Sequence, residues 1–587
     1  MKFTIKKFSS CLNQRDKNKK MGENGHVEYS WSSLQLGTFE EIKENILQIY
    51  FQLVRCNNDR EKERFQSLKD KYRLALQSIS LFLPNKNNTQ TDKEFLLNVM
   101  YKLVAHTRDI HNGKGEYLLS YMMILVWHEI IGQQHAEQLL SSFVCGVNAS
   151  CLGLGSWKDM KYFSLYCRDE TGDSNHPLIQ HCISLMNTQL YIDVGTEESK
   201  SSRCQSLVAK WIPRENSKKF GWLFEPLAKD YFSHYFSKAT TVEAKTKALN
   251  KAKMNYRKTC SSLNKFLDTV QIKQCANTWS DIDYKHVTSI TLSKQNSAFL
   301  NIKKDGTRRN EEDDRIVASY IFEKYIEERI QTGKEVNGKC VSLSDFVSRA
   351  LKLLELEDEG PKQTQTNLLN SQWRDQSKET PALKNMVAMV DVSSSMNGLP
   401  LLTAIGLGCR IAEKSVLGKR VMTFSSTPTW VNLEETTNFV EMVSLIKHTH
   451  WGGNTNFYAA LNMILEIFIT VRVPPEDVEN LSLVILSDMQ IDEASSMDND
   501  TLYGIMKKKY ADAGKCAFGK PYNPPHIVFW NLRSTGGFPN VSTQKNTSMI
   551  SGYNPSLLKL FCEDRESIQR LDPWTILMEI LKPYETI

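Results

Sequence analysis

Paired cysteines are missing from this sequence. Its 13 cysteines are scattered from Cys11 to Cys562, and no two of them form a CxxC pair. The absence of that pair excludes a zinc ribbon and a thioredoxin-like redox site. An odd number of scattered thiols is typical of a reducing compartment, so we expect a cytoplasmic protein.

Long hydrophobic runs are missing as well. The first twenty residues, MKFTIKKFSSCLNQRDKNKK, lack the apolar core that a secretory signal needs. The longest apolar stretch covers residues 117–131, which is shorter than the roughly 20 residues that span a bilayer. It also contains His128 and Glu129, so it predicts a buried helix and no contact with a membrane.

Catalytic signatures are also absent. The chain has no GxxxxGK(S/T) loop to hold phosphates, no GxSxG or HExxH motif, and no Cys/His nucleophile pattern. A haloacid-dehalogenase-type phosphatase would need a second acid two residues after Asp391, where the sequence has Ser393. The histidines among the predicted helices are interpreted as structural. We therefore expect a protein that is not an enzyme.

The chain is long enough for several hydrophobic cores. Its 587 residues, of which 41% are hydrophobic and 24% charged, predict about three or four domain-sized units. Residues 1–35 are polar and basic and predict a flexible arm. Residues 36–300 show helical periodicity almost throughout, which predicts an all-α bundle or an irregular solenoid. Residues 301–384 predict a charged connecting segment with two helices and an exposed linker at 357–367.

The pattern changes in residues 385–587. Four short apolar runs, MVAMVDV, KRVMTFS, LSLVILSD and HIVFWNL, alternate with amphipathic segments. Apolar strands that alternate with helices predict a doubly wound parallel sheet with helices on both faces. The predicted fold class is therefore multidomain, with an all-α region followed by an α/β region.

Two of these apolar runs carry an aspartate at or next to their last residue, Asp391 in MVAMVDV and Asp488 in LSLVILSD. Since ligands of open α/β sheets bind beyond the carboxyl ends of the strands, both carboxylates should lie at one edge of the sheet. The hydroxyls of Ser393, Ser395 and, from the loop WGGNTNFY, Thr455 should join them. Such an all-oxygen set suits one hard divalent cation, Mg²⁺ or Mn²⁺. Alternatively, Ser394 or Ser395 caps the following helix.

The D-x-S-x-S pattern, the threonine loop and the aspartate after a later strand resemble the metal-ion-dependent adhesion site (MIDAS) of von Willebrand factor A (vWA) domains. TFSSTPTWV, HWGGNTNF and LVILSDMQID resemble one branch of that family, plant and giant-virus proteins of unknown function. The N-terminal region of that branch is similar to the TROVE module of the Ro ribonucleoprotein autoantigen. VAHTRDIHNGKGEY, GLGSWKDMKYF and LVAKWIPRENSKKFGW also resemble this branch, so the resemblance covers roughly residues 30–587.

The resemblance implies a TROVE-like, HEAT-like helical solenoid in residues 36–300 and a vWA, Rossmann-like domain in residues 385–587. It implies that Ser393, Ser395 and Thr455 bind the ion directly, while Asp391 and Asp488 act largely through water. One departure is Ser394, where many relatives have glycine.

A basic segment lies in the helical half. Residues 199–262 contain 14 Lys or Arg against 4 Asp or Glu, a net charge of +10, whereas the whole chain carries +6. Interleaved cations and aromatic rings can neutralise phosphates and stack on unpaired bases. Alternatively, the cations of this segment lie on a solvated helix face and its aromatic rings belong to the core. For the turn near residue 108, the alternative to phosphate binding is an ion pair of Arg108 with Asp109 at the surface. The predicted RNA contacts are Arg108, Lys114, Lys210, Arg214, Lys218, Lys219, Trp222, Arg257 and Lys258.

Together with the resemblance to the Ro module, these observations predict a ribonucleoprotein-type scaffold that binds structured RNA or single-stranded RNA ends. One divalent cation, Mg²⁺ or Mn²⁺, would occupy its vWA domain. One alternative is a protein-interaction scaffold whose ion recruits an acidic side chain of a partner. The other is a virion component without nucleic acid, which the giant-virus branch suggests.

Overall fold

The computed structural model forms two compact units. The sheet unit comprises Met1–Leu103, Thr288–Thr307 and Glu323–Pro583, and the helical unit comprises Val104–Val287, Arg308–Phe322 and Tyr584–Ile587. The structure describes residues 19–21, 27–32, 38–56, 61–82, 89–146, 153–198, 206–356, 359–449, 451, 456–490, 501–534, 536–562 and 571–585.

The helices and strands follow one another in chain order. The α-helices are α1 Phe39–Gln52, α2 Lys62–Ser80, α3 Gln90–Arg108, α4 Tyr117–Ile130, α5 Gln133–Ser142, α6 Trp157–Thr171, α7 Pro177–Glu198, α8 Val208–Trp211, α9 Phe224–Tyr231, α10 Val242–Phe266, α11 Val270–Ala276, α12 Ser289–Phe299, α13 Asp313–Gln331, α14 Leu343–Leu354, α15 Glu359–Ser377, α16 Leu399–Lys414, α17 Phe439–Lys447, α18 Phe457–Val471, α19 Pro475–Glu479, α20 Leu502–Phe518 and α21 Pro573–Leu581. The strands are β1 Lys19–Met21, β2 Val27–Tyr29, β3 Met386–Asp391, β4 Arg420–Phe424, β5 Thr429–Asn432, β6 Ser482–Ser487, β7 His526–Asn531 and β8 Thr547–Ser551.

Six strands form the main sheet in the order β5-β4-β3-β6-β7-β8. All neighbouring strands are parallel except β4 and β5, which are antiparallel. The prediction of an α/β region is confirmed as a mixed, mostly parallel sheet. Strands β5 and β8 were not predicted, because each is short and at least half of its residues are polar.

The central strands are apolar because they are covered on both sides. Every residue of β6 and β7 is buried. Helix α16 approaches β3 closely at Gly408, where an added Cβ would lie 2.6 Å from Cγ2 of Val390. A side chain at Gly408 would therefore push the helix away from the strand that carries Asp391.

Helix α1 belongs to the sheet unit, although its periodicity placed it in the helical domain. The carbonyl oxygens of Tyr50 and Phe51 accept hydrogen bonds from Ser551 Oγ (2.7 Å) and Asn531 Nδ2 (2.9 Å). These donors lie far away in the sequence, near the other end of the chain. The hydrophobic periodicity of α1 alone therefore does not predict its contacts with the sheet. The predicted helical domain 36–300 is therefore wrong at its start, since the sheet unit includes residues up to Leu103.

Part of the predicted flexible arm is ordered. Strands β1 and β2 pair in antiparallel fashion, and the backbone N–H of Tyr29 donates to the carbonyl of Phe538 at 2.9 Å. The prediction of a flexible arm over residues 1–35 is therefore wrong for residues 19–21 and 27–32.

The predicted linker at 357–367 is also wrong from residue 359 onward, where helix α15 begins. Pro361 lies in the first turn of the helix, where proline is tolerated. Farther along α15, Trp373 stacks on Phe439 with ring centroids 3.8 Å apart and donates its indole N–H to Glu413 at 2.7 Å. These contacts anchor α15 within the sheet unit.

The helical unit confirms the all-α prediction for the N-terminal region. Between Val104 and Val287 the described elements are all helices. Among the described helices, none combines the length and the apolar composition that crossing a bilayer requires.

Candidate functional site

The two predicted carboxylates meet where the strand order of the sheet reverses. Strands β3 and β6 are parallel neighbours, with Val390 aligned with Leu486. Asp391 ends β3, and Asp488 directly follows β6. In open α/β sheets, a reversal of this kind leaves a crevice in which ligands bind. The structure therefore brings both aspartates to one edge of the sheet.

Hydrogen bonds fix the carboxylate of Asp391. The residue is fully buried, its Oδ1 accepts the backbone N–H of Ser393 at 3.0 Å, and its Oδ2 accepts the hydroxyl of Ser487 at 2.6 Å. Burial, together with the charge of Asp488, raises the pKa of Asp391 to about 7 despite these hydrogen bonds. A nearby cation would favour the ionised form of this carboxyl group.

Asp488 is less completely satisfied. Its Oδ1 accepts the backbone N–H of Gln490 at 3.3 Å, whereas its buried Oδ2 has no hydrogen-bond partner among the described residues. Burial raises the pKa of Asp488, opposed by the Gln490 N–H, by the charge of Arg533 and by a hydrogen bond from the side chain of Ser395. A buried carboxylate oxygen without a partner is costly, and coordination to a cation would satisfy it.

The two serines predicted as ligands lie together in the loop after β3. The hydroxyl oxygens of Ser393 and Ser395 are 3.1 Å apart. Ser393 is buried and Ser395 is half-buried, so this pair connects the aspartates to the surface. Neither Ser394 nor Ser395 caps α16, because the residue at the N-cap is Gly398. The capping alternative is therefore wrong for this loop.

The third predicted direct ligand, Thr455, lies outside the described residues, as do Gly452 and Gly453. In the part of the chain that the structure describes, no three His, Cys, Asp or Glu side chains gather as a metal-binding group. The sheet-edge site has only two carboxylates, and its other oxygen atoms come from hydroxyls. These donor types fit a hard divalent cation.

Sequence reasoning missed Ser487 and Arg533. Ser487 orients Asp391 through its short hydrogen bond, and its position directly before Asp488 was the available signal. Arg533 follows β7, and its Nη2 donates to the carbonyl of Asn397 at 3.0 Å, which connects two loops beside the site. No local motif marks Arg533, because the fold alone brings it to this edge.

Comparisons with known proteins give two family matches, both described as domains of unknown function. DUF2828 matches residues 165–379 and DUF7788 matches residues 385–576, which include the sheet-edge site. An uncharacterized protein of Acanthamoeba polyphaga mimivirus is 25% identical over 505 residues, covering 83% of this chain and 80% of that protein. The predicted giant-virus relative is thus confirmed. The crystal structure of the Deinococcus radiodurans Ro (RSR) protein is similar with a TM-score of 0.33 and 10% identity, covering 89% of this chain and 100% of the other.

In the helical unit, two of the predicted RNA contacts are buried. Arg108 forms a two-point ion pair with Asp159, from Nε at 2.9 Å and from Nη2 at 2.7 Å. Lys114 is 2% exposed, and burial lowers its pKa well below the usual range. The prediction that these residues contact phosphate is therefore wrong, and so is the alternative surface pair of Arg108 with Asp109.

Most of the other predicted contacts are exposed. Lys210 is half-buried, and burial lowers its pKa. Arg257 is exposed, but it forms an ion pair with Glu215. The exposed cations without a carboxylate partner among the described residues are Arg214, Lys218, Lys219 and Lys258.

Trp222 is half-buried and already has a neighbour on its ring. The guanidinium of Arg168 lies over the indole at 4.4 Å from the ring centroid. One face of the ring is thereby covered, which makes Trp222 a poorer stacking surface for a base than its sequence context suggested.

Proposed function

We propose that this chain is a non-catalytic scaffold whose C-terminal region is a vWA-type domain with one Mg²⁺ or Mn²⁺ ion at the sheet edge. The observation that carries the proposal is the convergence of Asp391 and Asp488 with two serine hydroxyls at the strand-order reversal. Ser393 and Ser395 would bind the ion as neutral ligands, while the aspartates would supply the charge, largely through water. An ion with few anionic ligands remains able to accept an acidic side chain of a partner.

The proposal that the site is not catalytic rests on access. Ser487 and Asp391 resemble a nucleophile and its base, but both are fully buried, so a substrate cannot reach them. Metal-dependent hydrolysis of phosphoesters that Asp391→Asn abolishes would contradict a non-catalytic role.

The first test is metal-dependent stability. A cation that binds only the folded chain stabilises it by about 2.7 kcal/mol at 100 times its Kd. We expect the melting temperature of chelator-treated protein to rise with added Mg²⁺ or Mn²⁺, and Ser393→Ala to weaken that response. Ser394→Ala, at the exposed neighbouring position, is the matched control and should retain it. No shift at millimolar metal would exclude the site.

We further propose that the scaffold binds RNA through a TROVE-like helical region. The supporting observation is the local charge of +10 in residues 199–262, where several cations are exposed and pair with no carboxylate of the described residues. Exposed cations attract polyphosphates, and neutralising phosphates releases counterions. The rival function, a metal-dependent protein scaffold or virion component without nucleic acid, makes no use of this surface.

The salt dependence of RNA affinity distinguishes these functions. If about five phosphates are neutralised, log affinity should fall against log salt with a slope of roughly −3.5 for single strands. Replacing Lys218 and Lys258 with glutamine should flatten that slope by about 1.4. The control replaces Lys507 and Lys508, exposed residues of α20 in the sheet unit, and should leave the slope unchanged. Absence of RNA binding at low salt would favour the rival.

A further inference from the structure

Three lysines of the helical unit surround a single tyrosine. The Nζ atoms of Lys158, Lys161 and Lys219 lie 4.7, 6.0 and 5.4 Å from the ring centroid of Tyr162. Lys158 and Lys161 are separated by three positions on α6 and so share one helix face. Lys219 comes from the segment between α8 and α9, so two separate parts of the chain converge on one ring.

Further aromatic rings extend this surface. The ring centroid of Tyr162 lies 4.9 Å from that of Phe220 and 6.3 Å from that of Tyr117. The ammonium of Lys161 is also 5.1 Å from the ring of Phe220, and that of Lys158 is 5.7 Å from the ring of Tyr117. We call this surface the tyrosine patch; it consists of Tyr117, Lys158, Lys161, Tyr162, Lys219 and Phe220.

Within the described residues, two lysines of the tyrosine patch have no carboxylate that balances their charge. Among the described residues, neither Lys161 nor Lys219 forms an ion pair with a carboxylate. Partial burial and the neighbouring charge of Lys158 lower the pKa of Lys161 to about 8. Cations on aromatic faces gain some stabilisation from the rings, yet the ammonium groups of Lys158 and Lys161 repel one another. A phosphate group is the ligand that would relieve this repulsion.

The aromatic part of the patch indicates which form of nucleic acid would bind. Tyr117 is 43% exposed and offers a ring beside the lysines. Bases within a duplex are already stacked and paired, whereas an unpaired base can lie on a tyrosine while its phosphates contact lysines. We propose that the tyrosine patch binds a single-stranded RNA segment, with phosphates at Lys161 and Lys219 and a base on Tyr117. This inference rests on the proposed RNA-binding function and names the surface and the form of RNA.

The experiment measures binding of a fluorescent, unstructured 12-nucleotide oligouridylate and of a blunt RNA duplex to the 587-residue chain by anisotropy. The patch variant replaces Lys161 and Lys219 with glutamine. The control variant replaces Lys245 and Lys247, exposed residues of α10 in the same basic segment but outside the patch. A third variant, Tyr117→Leu, keeps an apolar side chain and removes the ring, and circular dichroism checks that each variant is folded.

We expect the patch variant to lose roughly ten-fold or more in affinity for the oligouridylate and to flatten its salt slope by about 1.4. Tyr117→Leu should lose roughly 5- to 100-fold, the range for one stacked base. The control pair should lose no more than about three-fold, because it lowers only the general charge. Two results would contradict the proposed patch and still support RNA binding by the chain. One is an equal loss of affinity in the patch and control variants. The other is equal affinity of the unaltered chain for duplex and single-stranded RNA. No RNA binding by the unaltered chain would overturn the proposed RNA function itself.

Discussion

Asp159→Ala is expected to lower the stability of the helical unit by about 3–5 kcal/mol, the cost of leaving a buried charge without its partner. Asp159 is 2% exposed and accepts hydrogen bonds on both oxygens. Its Oδ1 is 2.9 Å from Arg108 Nε and 2.6 Å from the hydroxyl of Tyr121. Its Oδ2 is 2.7 Å from Arg108 Nη2 and 2.7 Å from the backbone N–H of Ser156. The variant would leave the guanidinium of Arg108, which is only 6% exposed, without its carboxylate partner.

The measurement is denaturant unfolding combined with hydrogen exchange of peptides from α4 and α6, which reports on the helical unit separately. Asp169→Ala is the matched control on the same helix, because its ion pair with Arg168 is exposed and contributes at most about 1 kcal/mol. The double variant Arg108→Met with Asp159→Leu should recover part of the loss, since both charges are then absent. If Asp159→Ala exchanges no faster than Asp169→Ala, this ion pair does not support the unit.

Arg108 also shows why the RNA contacts were only partly predictable. Its neighbours in the sequence, Asp109 and Lys114, suggested a charged surface turn. Its actual partner, Asp159, is 51 residues away, and only the packing of α3 against the start of α6 brings the two together. The tyrosine patch has the same property, because Tyr117, Lys158 and Lys219 come from three separate segments.

The sheet-edge site was easier to predict because its signal is local. A fully buried strand must be apolar, so an aspartate at its end is conspicuous in the sequence, as Asp391 and Asp488 are. Their meeting then follows from the general location of ligand sites in open α/β sheets. The local sequence could not predict the residues that surround the two aspartates. Ser487 donates a hydrogen bond from β6 to Asp391 on β3, and Arg533 lies in the loop after β7.

Asp391→Asn is expected to make the protein more stable in the absence of divalent metal and insensitive to added metal. Asp391 is fully buried beside Asp488, and its pKa is raised to about 7. At pH 8 its ionised form is therefore costly, on the order of 4 kcal/mol, because each pKa unit corresponds to about 1.4 kcal/mol. Asparagine has the same shape, and its amide oxygen can still accept the N–H of Ser393.

The stability gain and the loss of metal response have one cause. A site that holds two carboxylates together is destabilising until a cation compensates the charge, and removing one of them removes both the cost and the means of binding. If Asp391 had only a structural role, its replacement would weaken the hydrogen bonds to Ser393 and Ser487 without relieving any charge repulsion. The variant would then be less stable than the unaltered chain.

Denaturant unfolding at pH 8, with chelator and with millimolar Mg²⁺ or Mn²⁺, measures both effects. Asp512→Asn, an exposed residue of α20, is the matched control and should match the unaltered chain in both conditions. An Asp391→Asn variant that is less stable than the unaltered chain without metal would contradict the costly carboxylate pair. A variant that still gains stability from metal would place the ion elsewhere, because the proposed site requires the charges of both Asp391 and Asp488.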